Sequence, residues 1–246
     1  MNLPRFYCSP INTGSVTLSP DQAHHLAHVL RLSPGALVEL FDGLGTLAPA
    51  RLTALRPHVT LQVDQLQTAS PPANGRIIIA ASLAKADRFD WLIAKCTELG
   101  ADHIAPTIFQ RTIKLSRNPR TFERWNKLIL SAARQCRRLF LPSINPPTPL
   151  DQTLESLKND YPQAQLLLGS LNPDTPSLIE QKFSDTDVIA FVGPEGGLTD
   201  DEESLLKNQG ALPTRLTDTT LRIETAAVTF TAVLACQRHP QQFSSG

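Results

Sequence analysis

Apolar and polar positions alternate in two different ways along this chain, and the change of pattern near residue 70 divides it. In the first part, Ser19-Pro20-Asp21-Gln22 reads as a capping box with proline at the first helical position. It predicts a short helix to about Leu32, stopped by Ser33-Pro34-Gly35. Strand-like stretches follow at 36–41, 46–55 and 58–66, with Asp42-Gly43 as a turn. A helix with several short strands predicts a small β-barrel over residues 1–70, and Thr68 to Gly75 reads as a linker.

From residue 74 to 246 strands and helices alternate. Ile77 to Ala81 is continuously apolar, as in a strand buried on both faces of a parallel sheet. Asp87 caps a predicted helix that carries Phe89, Leu92, Ile93, Cys96 and Leu99 on one side and ends at Gly100. A strand is predicted at 103–108, a long helix from Asn118-Pro119 to about Arg138, and a break at the Pro-rich piece Pro142 to Pro149. Strands at 164–169, 188–192 and 211–216 alternate with helices near 176–183, 199–209 and 222–237. Thr199 with Glu202 forms a capping box, and Gly210 is the stop. Repeated βα units imply an α/β fold with a mainly parallel sheet and helices on both faces.

Charge changes this picture. The formal net charge is zero, but residues 107–140 hold nine basic side chains and one acidic, and residues 141–246 hold six basic and fourteen acidic. At about 100° per residue, Arg120, Arg124, Lys127, Ser131, Arg134 and Arg138 share one stripe of the long helix, opposite Phe122, Trp125, Ile129 and Ala133. Solvated helix faces usually mix signs, so a one-signed stripe points to an anionic partner: RNA phosphate, or an acidic surface of this chain or of a second copy. The four cysteines (Cys8, Cys96, Cys136, Cys236) are far apart and form no Cys-x-x-Cys pair. With His24 and His28 one turn apart but no third ligand nearby, no metal site is expected. No apolar run approaches membrane-spanning length and no leader segment is seen, so a cytoplasmic location is expected.

Two motifs carry the chemistry. Val192-Gly-Pro-Glu-Gly-Gly-Leu198 follows an apolar strand and precedes a capped helix, and Leu221-Arg-Ile-Glu-Thr-Ala-Ala227 follows a little later. Both read as strand ends turning sharply at the edge of a parallel sheet, where open α/β folds bind small ligands. The first is neither a Gly-x-Gly-x-x-Gly dinucleotide fingerprint nor a phosphate-binding P-loop, since no Lys-Ser/Thr follows the glycines.

Together the two motifs resemble those of the RsmE family, 16S ribosomal RNA (uracil-N3)-methyltransferases of the SPOUT class. Leu83-Ala-Lys85, Asp90-Trp-Leu-Ile-Ala-Lys-Cys-Thr-Glu-Leu-Gly100, and Gln135 with Pro142 extend the resemblance, and His25 with Val29-Leu-Arg31 and Phe41-Asp-Gly43 is similar to its N-terminal PUA-like domain. The resemblance implies a SPOUT-type trefoil knot, a homodimer, S-adenosylmethionine as cofactor and ribosomal RNA as partner. It implies cofactor binding by Leu168, Gly169, Gly193, Pro194, Glu195, Gly196, Gly197, Leu216, Leu221 and Thr225, and catalysis by Arg222 and Glu224. RNA contacts are expected from His25, Arg31, Arg111, Arg120, Arg124, Lys127, Arg134 and Arg138. The chain departs from the family where Phe109-Gln110-Arg111 replaces Ser-Glu-Arg, where Arg134 replaces a glutamate, where His28 replaces an arginine, and where Thr217 and Thr219 replace a glycine and an arginine. An RNA methyltransferase with another target, or a catalytically weakened dimeric RNA-binding protein, are the alternative readings.

Overall fold

The computed structural model describes residues 3–71, 73–113, 120–183 and 185–238. The chain divides into two compact units, Met1–Pro71 with Ala133–Leu141, and Pro72–Ala132 with Pro142–Gly246.

The first unit contains one six-stranded sheet in the order β1-β3-β4-β5-β2, with β6 added on β4. The strands are β1 (Arg5–Tyr7), β2 (Gly14–Thr17), β3 (Leu37–Phe41), β4 (Thr46–Ala54), β5 (Thr60–Val63) and β6 (Gln67–Thr68). Only the β1–β3 pair is parallel. Along β4 the residues Ala48, Ala50 and Leu52 are buried and their neighbours are not, the period-two pattern of a half-buried strand. They join Phe6, Leu26, Val38, Leu40, Leu61 and Val63 in the core. The predicted helix is α1 (Pro20–His24), continued by one π-helical turn over His25–Val29. β1 and β2 were not anticipated, because each is too short to display a period.

The second unit is built on an entirely parallel sheet in the order β10-β8-β7-β12-β11-β13, with β9 beside β8. Its strands are β7 (Ile77–Ser82), β8 (His103–Ile108), β9 (Ser143–Ile144), β10 (Thr148–Pro149), β11 (Gln165–Ser170), β12 (Val188–Val192) and β13 (Leu212–Arg215). Every residue of β7 and β12 is buried, which explains their unbroken apolar runs: helices cover both faces. On one face α2 (Ala86–Leu99) packs against α6 (Ile223–Arg238), and α6 packs on β7 and β12. On the other, α4 (Leu150–Asp160) and α5 (Asp200–Asn208) place Leu150, Leu154, Leu157 and Leu206 against Ile78, Leu166, Leu168, Ile189 and Phe191. In α3 (Arg120–Cys136) the apolar side is buried at Trp125, Ile129 and Ala133, and Trp125 stacks at 5.0 Å on Phe89 of α2. Its opening at Asn118-Pro119 lies outside the described residues.

Two expectations differ. The helix near 176–183 is a single 3-10 turn, Leu178–Glu180, stopped when Gln181 goes extended. The region after Pro149 holds the unexpected α4, whose Leu150, Leu154 and Leu157 repeat at helical spacing, with Pro149 as its N-cap.

Candidate active site

The site lies where β11, β12 and β13 end. These neighbouring parallel strands run the same way, so the loops that follow them emerge side by side at the carboxyl edge of the sheet. Together with the start of α6 they enclose a pocket of about 260 Å³, lined by Gly169 to Leu171, by Gly193, Pro194, Glu195, Gly197 and Leu198, and by Leu216, Thr217 and Thr219 to Arg222. Ile223, Ala226 and Phe230 of α6 form an apolar wall.

The glycine turn is narrow for local reasons. Gly197 N–H donates to Pro194 O at 2.8 Å, and Gly197 holds a φ of 74°, a conformation that L side chains resist. A Cβ on Gly193 would approach Leu198 Cδ2 to 3.2 Å. Two arginines from other strand ends hold this turn. Arg111, after β8, donates from Nη1 to Gly196 O at 2.7 Å and to Leu198 O at 3.2 Å. Arg88, in the first turn of α2 after β7, donates from Nη1 to Glu195 Oε1 at 3.1 Å. The segment carrying Arg111 is itself anchored, because Gln110 N–H donates to Glu202 Oε1 at 2.7 Å while Thr199 N–H donates to Glu202 Oε2 at 2.9 Å. Glu202 thus serves its own helix cap and the neighbouring loop at once.

Of the residues expected to hold a cofactor, Gly169, Gly193, Pro194, Glu195, Gly197, Leu216 and Leu221 line the pocket. Three do not. Leu168 is buried in the core with α4 and α5, Gly196 faces the Arg111 stem with its Cβ direction 3.4 Å from Cδ, and Thr225 is exposed on α6. Arg222 lines the pocket. Glu224 is buried just behind it, with Oε1 3.9 Å from Arg88 Nε, an ion-pair distance, and with Oε2 lacking any hydrogen-bond partner among the described residues. The two threonines that depart from the family pattern close their loop on themselves, since Thr217 Oγ1 donates to Thr219 O at 2.8 Å. Sequence reasoning missed Arg88, Phe230 and the second role of Glu202. Phe230 follows Ile223 by seven positions, so helical spacing carried a signal for it; nothing local marked the other two.

The residues expected to touch RNA fall in both units. In the second, Arg120 and Lys127 are exposed. Arg124 Nη2 lies 3.1 Å from Asp90 Oδ1, an electrostatic pair, since that oxygen makes no hydrogen bond. Burial raises the Asp90 pKa and Arg124 opposes that rise. Arg111 is exposed, but its Nη1 is engaged by the glycine turn. In the first unit, Arg31 is exposed with a φ of 52°, and Arg134 and Arg138 are partly exposed. His25 packs edge-on to Phe6 at 5.9 Å, and burial first, with the nearby Arg134 second, pushes its pKa down. Among the described residues no group of three or more His, Cys, Asp or Glu is placed to hold a metal ion, and no helix is long and apolar enough to cross a membrane.

Comparison with known proteins agrees with this geometry. The family model of the RNA methyltransferase domain matches residues 71–235, and that of the RNA methyltransferase PUA domain matches residues 18–64. Ribosomal RNA small subunit methyltransferase E of Synechocystis sp. is 33% identical over 213 residues, covering 86% of this chain and 70% of the relative. The Mycobacterium bovis protein of the same name is 28% identical over 233 residues, covering 90% and 87%. A crystal structure of ribosomal RNA small subunit methyltransferase E from Neisseria gonorrhoeae bound to S-adenosyl methionine superposes with a TM-score of 0.83 at 29% identity, covering 96% of this chain and 98% of that one. Three strand ends gathered around one pocket, and matches that run from the PUA segment to the last helix, place the chain in the ribosomal RNA small subunit methyltransferase E (RsmE) family.

Proposed function

We propose that this chain methylates N3 of a uridine in 16S ribosomal RNA with S-adenosylmethionine as donor. The observation that carries the reading is the single pocket formed by the three loops and bounded by Arg222. The residues present fit that cofactor. A flat purine suits the apolar wall of Leu216, Leu221, Ile223 and Phe230, and the backbone of the glycine turn that lines the pocket at Gly193 and Gly197 lets a ligand's polar edges approach closely. The Glu195 carboxylate on the pocket wall suits a cationic sulfonium. When bound, S-adenosylmethionine supplies a methyl carbon that accepts an electron pair from nitrogen while the sulfur keeps the pair of the bond that breaks.

The chain's own residues account for the rest. Uracil N3 is a poor nucleophile until its proton leaves, so an acceptor is needed beside it. Glu224 suits that role, with a buried Oε2 that has no hydrogen-bond partner among the described residues, at the head of α6 two residues from Arg222. Arg222 stabilises the negative charge that spreads over N3 and both carbonyls. Exposed Arg120 and Lys127, with Arg31 and Arg138, offer phosphate contacts. The same reading carries a homodimer, a cytoplasmic location and a threaded C-terminal course. For the last, β13 sits at the edge of the sheet while α6 packs back on β7 and β12, a path that supports threading.

Purified protein incubated with small ribosomal subunits and S-adenosylmethionine, with the RNA digested and read by mass spectrometry, is expected to yield N3-methyluridine at one position. Arg222→Ala should abolish the product while calorimetry still reports cofactor binding. A protein that binds the cofactor and methylates another position has a different target. One that binds RNA but no cofactor is an RNA-binding protein, and the assignment fails.

A further inference from the structure

Arg88 joins the two motifs that define the site. Its Nη1 reaches Glu195 Oε1 at 3.1 Å, and its Nε lies 3.9 Å from Glu224 Oε1. Glu195 belongs to the glycine turn after β12, and Glu224 opens α6. Arg88 stands on a third element, the first turn of α2. Two carboxylates brought to one place repel unless a cation stands between them, and the more so where one is buried. Glu224 has a side chain only 10% exposed, whereas Arg88 and Glu195 are open to 31% and 37%. Arg88 is therefore the cation that permits a buried carboxylate beside the pocket. A lysine in its place would present a single point of charge, whereas the guanidinium can face one carboxylate with Nη1 and the other with Nε.

Building on the methyltransferase reading, we propose that Arg88 is a positioning residue. It holds the Glu224 carboxylate at the head of α6 with Oε1 turned toward its own Nε, and it registers that carboxylate against the cofactor turn through Glu195. Arg88 itself touches neither nucleobase nor cofactor. Its effect passes through the two glutamates.

The test compares methyl transfer to small ribosomal subunits by the unmodified protein, Arg88→Ala, Arg88→Lys, Glu224→Gln and the double variant Arg88→Ala/Glu224→Gln, with cofactor affinity measured by calorimetry. Arg88→Ala is expected to lower kcat about tenfold or more while the RNA KM changes less than about threefold, the mark of an interaction that matters in the transition state. Arg88→Lys should recover part of the loss. The double variant should be no slower than Glu224→Gln alone, because residues acting as one unit are not additive. Losses that multiply in the double variant would show that Arg88 acts independently of Glu224 and would overturn the proposal. Unchanged turnover in Arg88→Ala beside an active unmodified protein would overturn the role of Arg88 alone. No methyl transfer by the unmodified protein would overturn the functional reading and this inference with it.

Discussion

Glu202→Ala tests how the glycine turn is held. Glu202 is 6% exposed and accepts from Gln110 N–H at 2.7 Å and Thr199 N–H at 2.9 Å. Hydrogen bonds to a charged group contribute about 1.5–3 kcal/mol each. Both freed amides belong to residues that solvent reaches, so water recovers part of the loss, and the net cost is expected to be about 2–3 kcal/mol. Glu202→Gln should cost roughly half of that, because a carboxamide has one acceptor oxygen and its NH2 would confront the second amide. The damage should reach the pocket, since Gln110 carries Arg111 and Arg111 holds Gly196 O and Leu198 O. If the turn loses about 1.4 kcal/mol of its order, cofactor affinity falls about tenfold. Urea unfolding followed by circular dichroism reads the first effect and calorimetry with S-adenosylmethionine the second. Glu203→Ala is the control, because the exposed Glu203–Lys207 pair should contribute less than about 0.5 kcal/mol. Equal, small losses in Glu202→Ala and Glu203→Ala would refute the reasoning.

Three further outcomes follow from the same structure. Gly75→Ala should destabilise the protein by more than about 1 kcal/mol, because Gly75 has a φ of 72° and its Cβ would run into Thr186 O and approach Asp187 N to 3.0 Å; an unshifted melting temperature would show that the turn relaxes freely. His103 shares hydrogen bonds of 3.0 Å with Tyr161 Oη and Asn145 Oδ1, and burial, partly opposed by Asn145, pushes its pKa below 6.5. The unfolded chain then takes up the proton first, so this stabilisation is complete above pH 6.5 and lost as pH falls through the lowered folded value; urea midpoints should drop in that window, and less so in His103→Gln. On the basic stripe, Arg120→Ala and Lys127→Ala should each reduce the slope of log affinity for RNA against log salt by about 0.7, and an unchanged slope would remove those residues from the interface.

The parallel sheet was legible because burial on both faces writes itself as unbroken apolar runs, as at Ile77 to Ala81 and Val188 to Val192. α2 and α5 were legible from caps and stops, Gly100 and the Thr199–Glu202 box among them. α4 was hidden although Leu150, Leu154 and Leu157 repeat correctly, because the prolines from Pro142 to Pro149 suggested a longer irregular stretch than the fold contains. The opposite error came at 176–183, where Ser177 and Glu180 do form a capping box, but one that starts a single turn. A cap signal marks where a helix can begin and says nothing of how far packing will carry it.

The two chemical motifs were visible as strings, and what was invisible is what makes them one site. Glu195 and Glu224 are 29 positions apart, and Arg88 lies 107 positions before the first of them. No local pattern marks such an arginine, because its position in α2 fits an ordinary solvated face. Its two carboxylate partners reach it only because β7, β12 and the head of α6 meet at the same edge of the sheet. The same holds for Arg111 and Glu202, which read locally as a loop cation and a helix cap and are in fact successive anchors of the glycine turn. Each motif supplies backbone that can approach a ligand closely, and such backbone does not hold its own shape. The side chains that supply the shape have to come from neighbouring strands, so they carry no signature beside the glycines they serve. In a parallel α/β sheet the residues that order a binding turn are therefore to be sought just past the carboxyl ends of the adjoining strands.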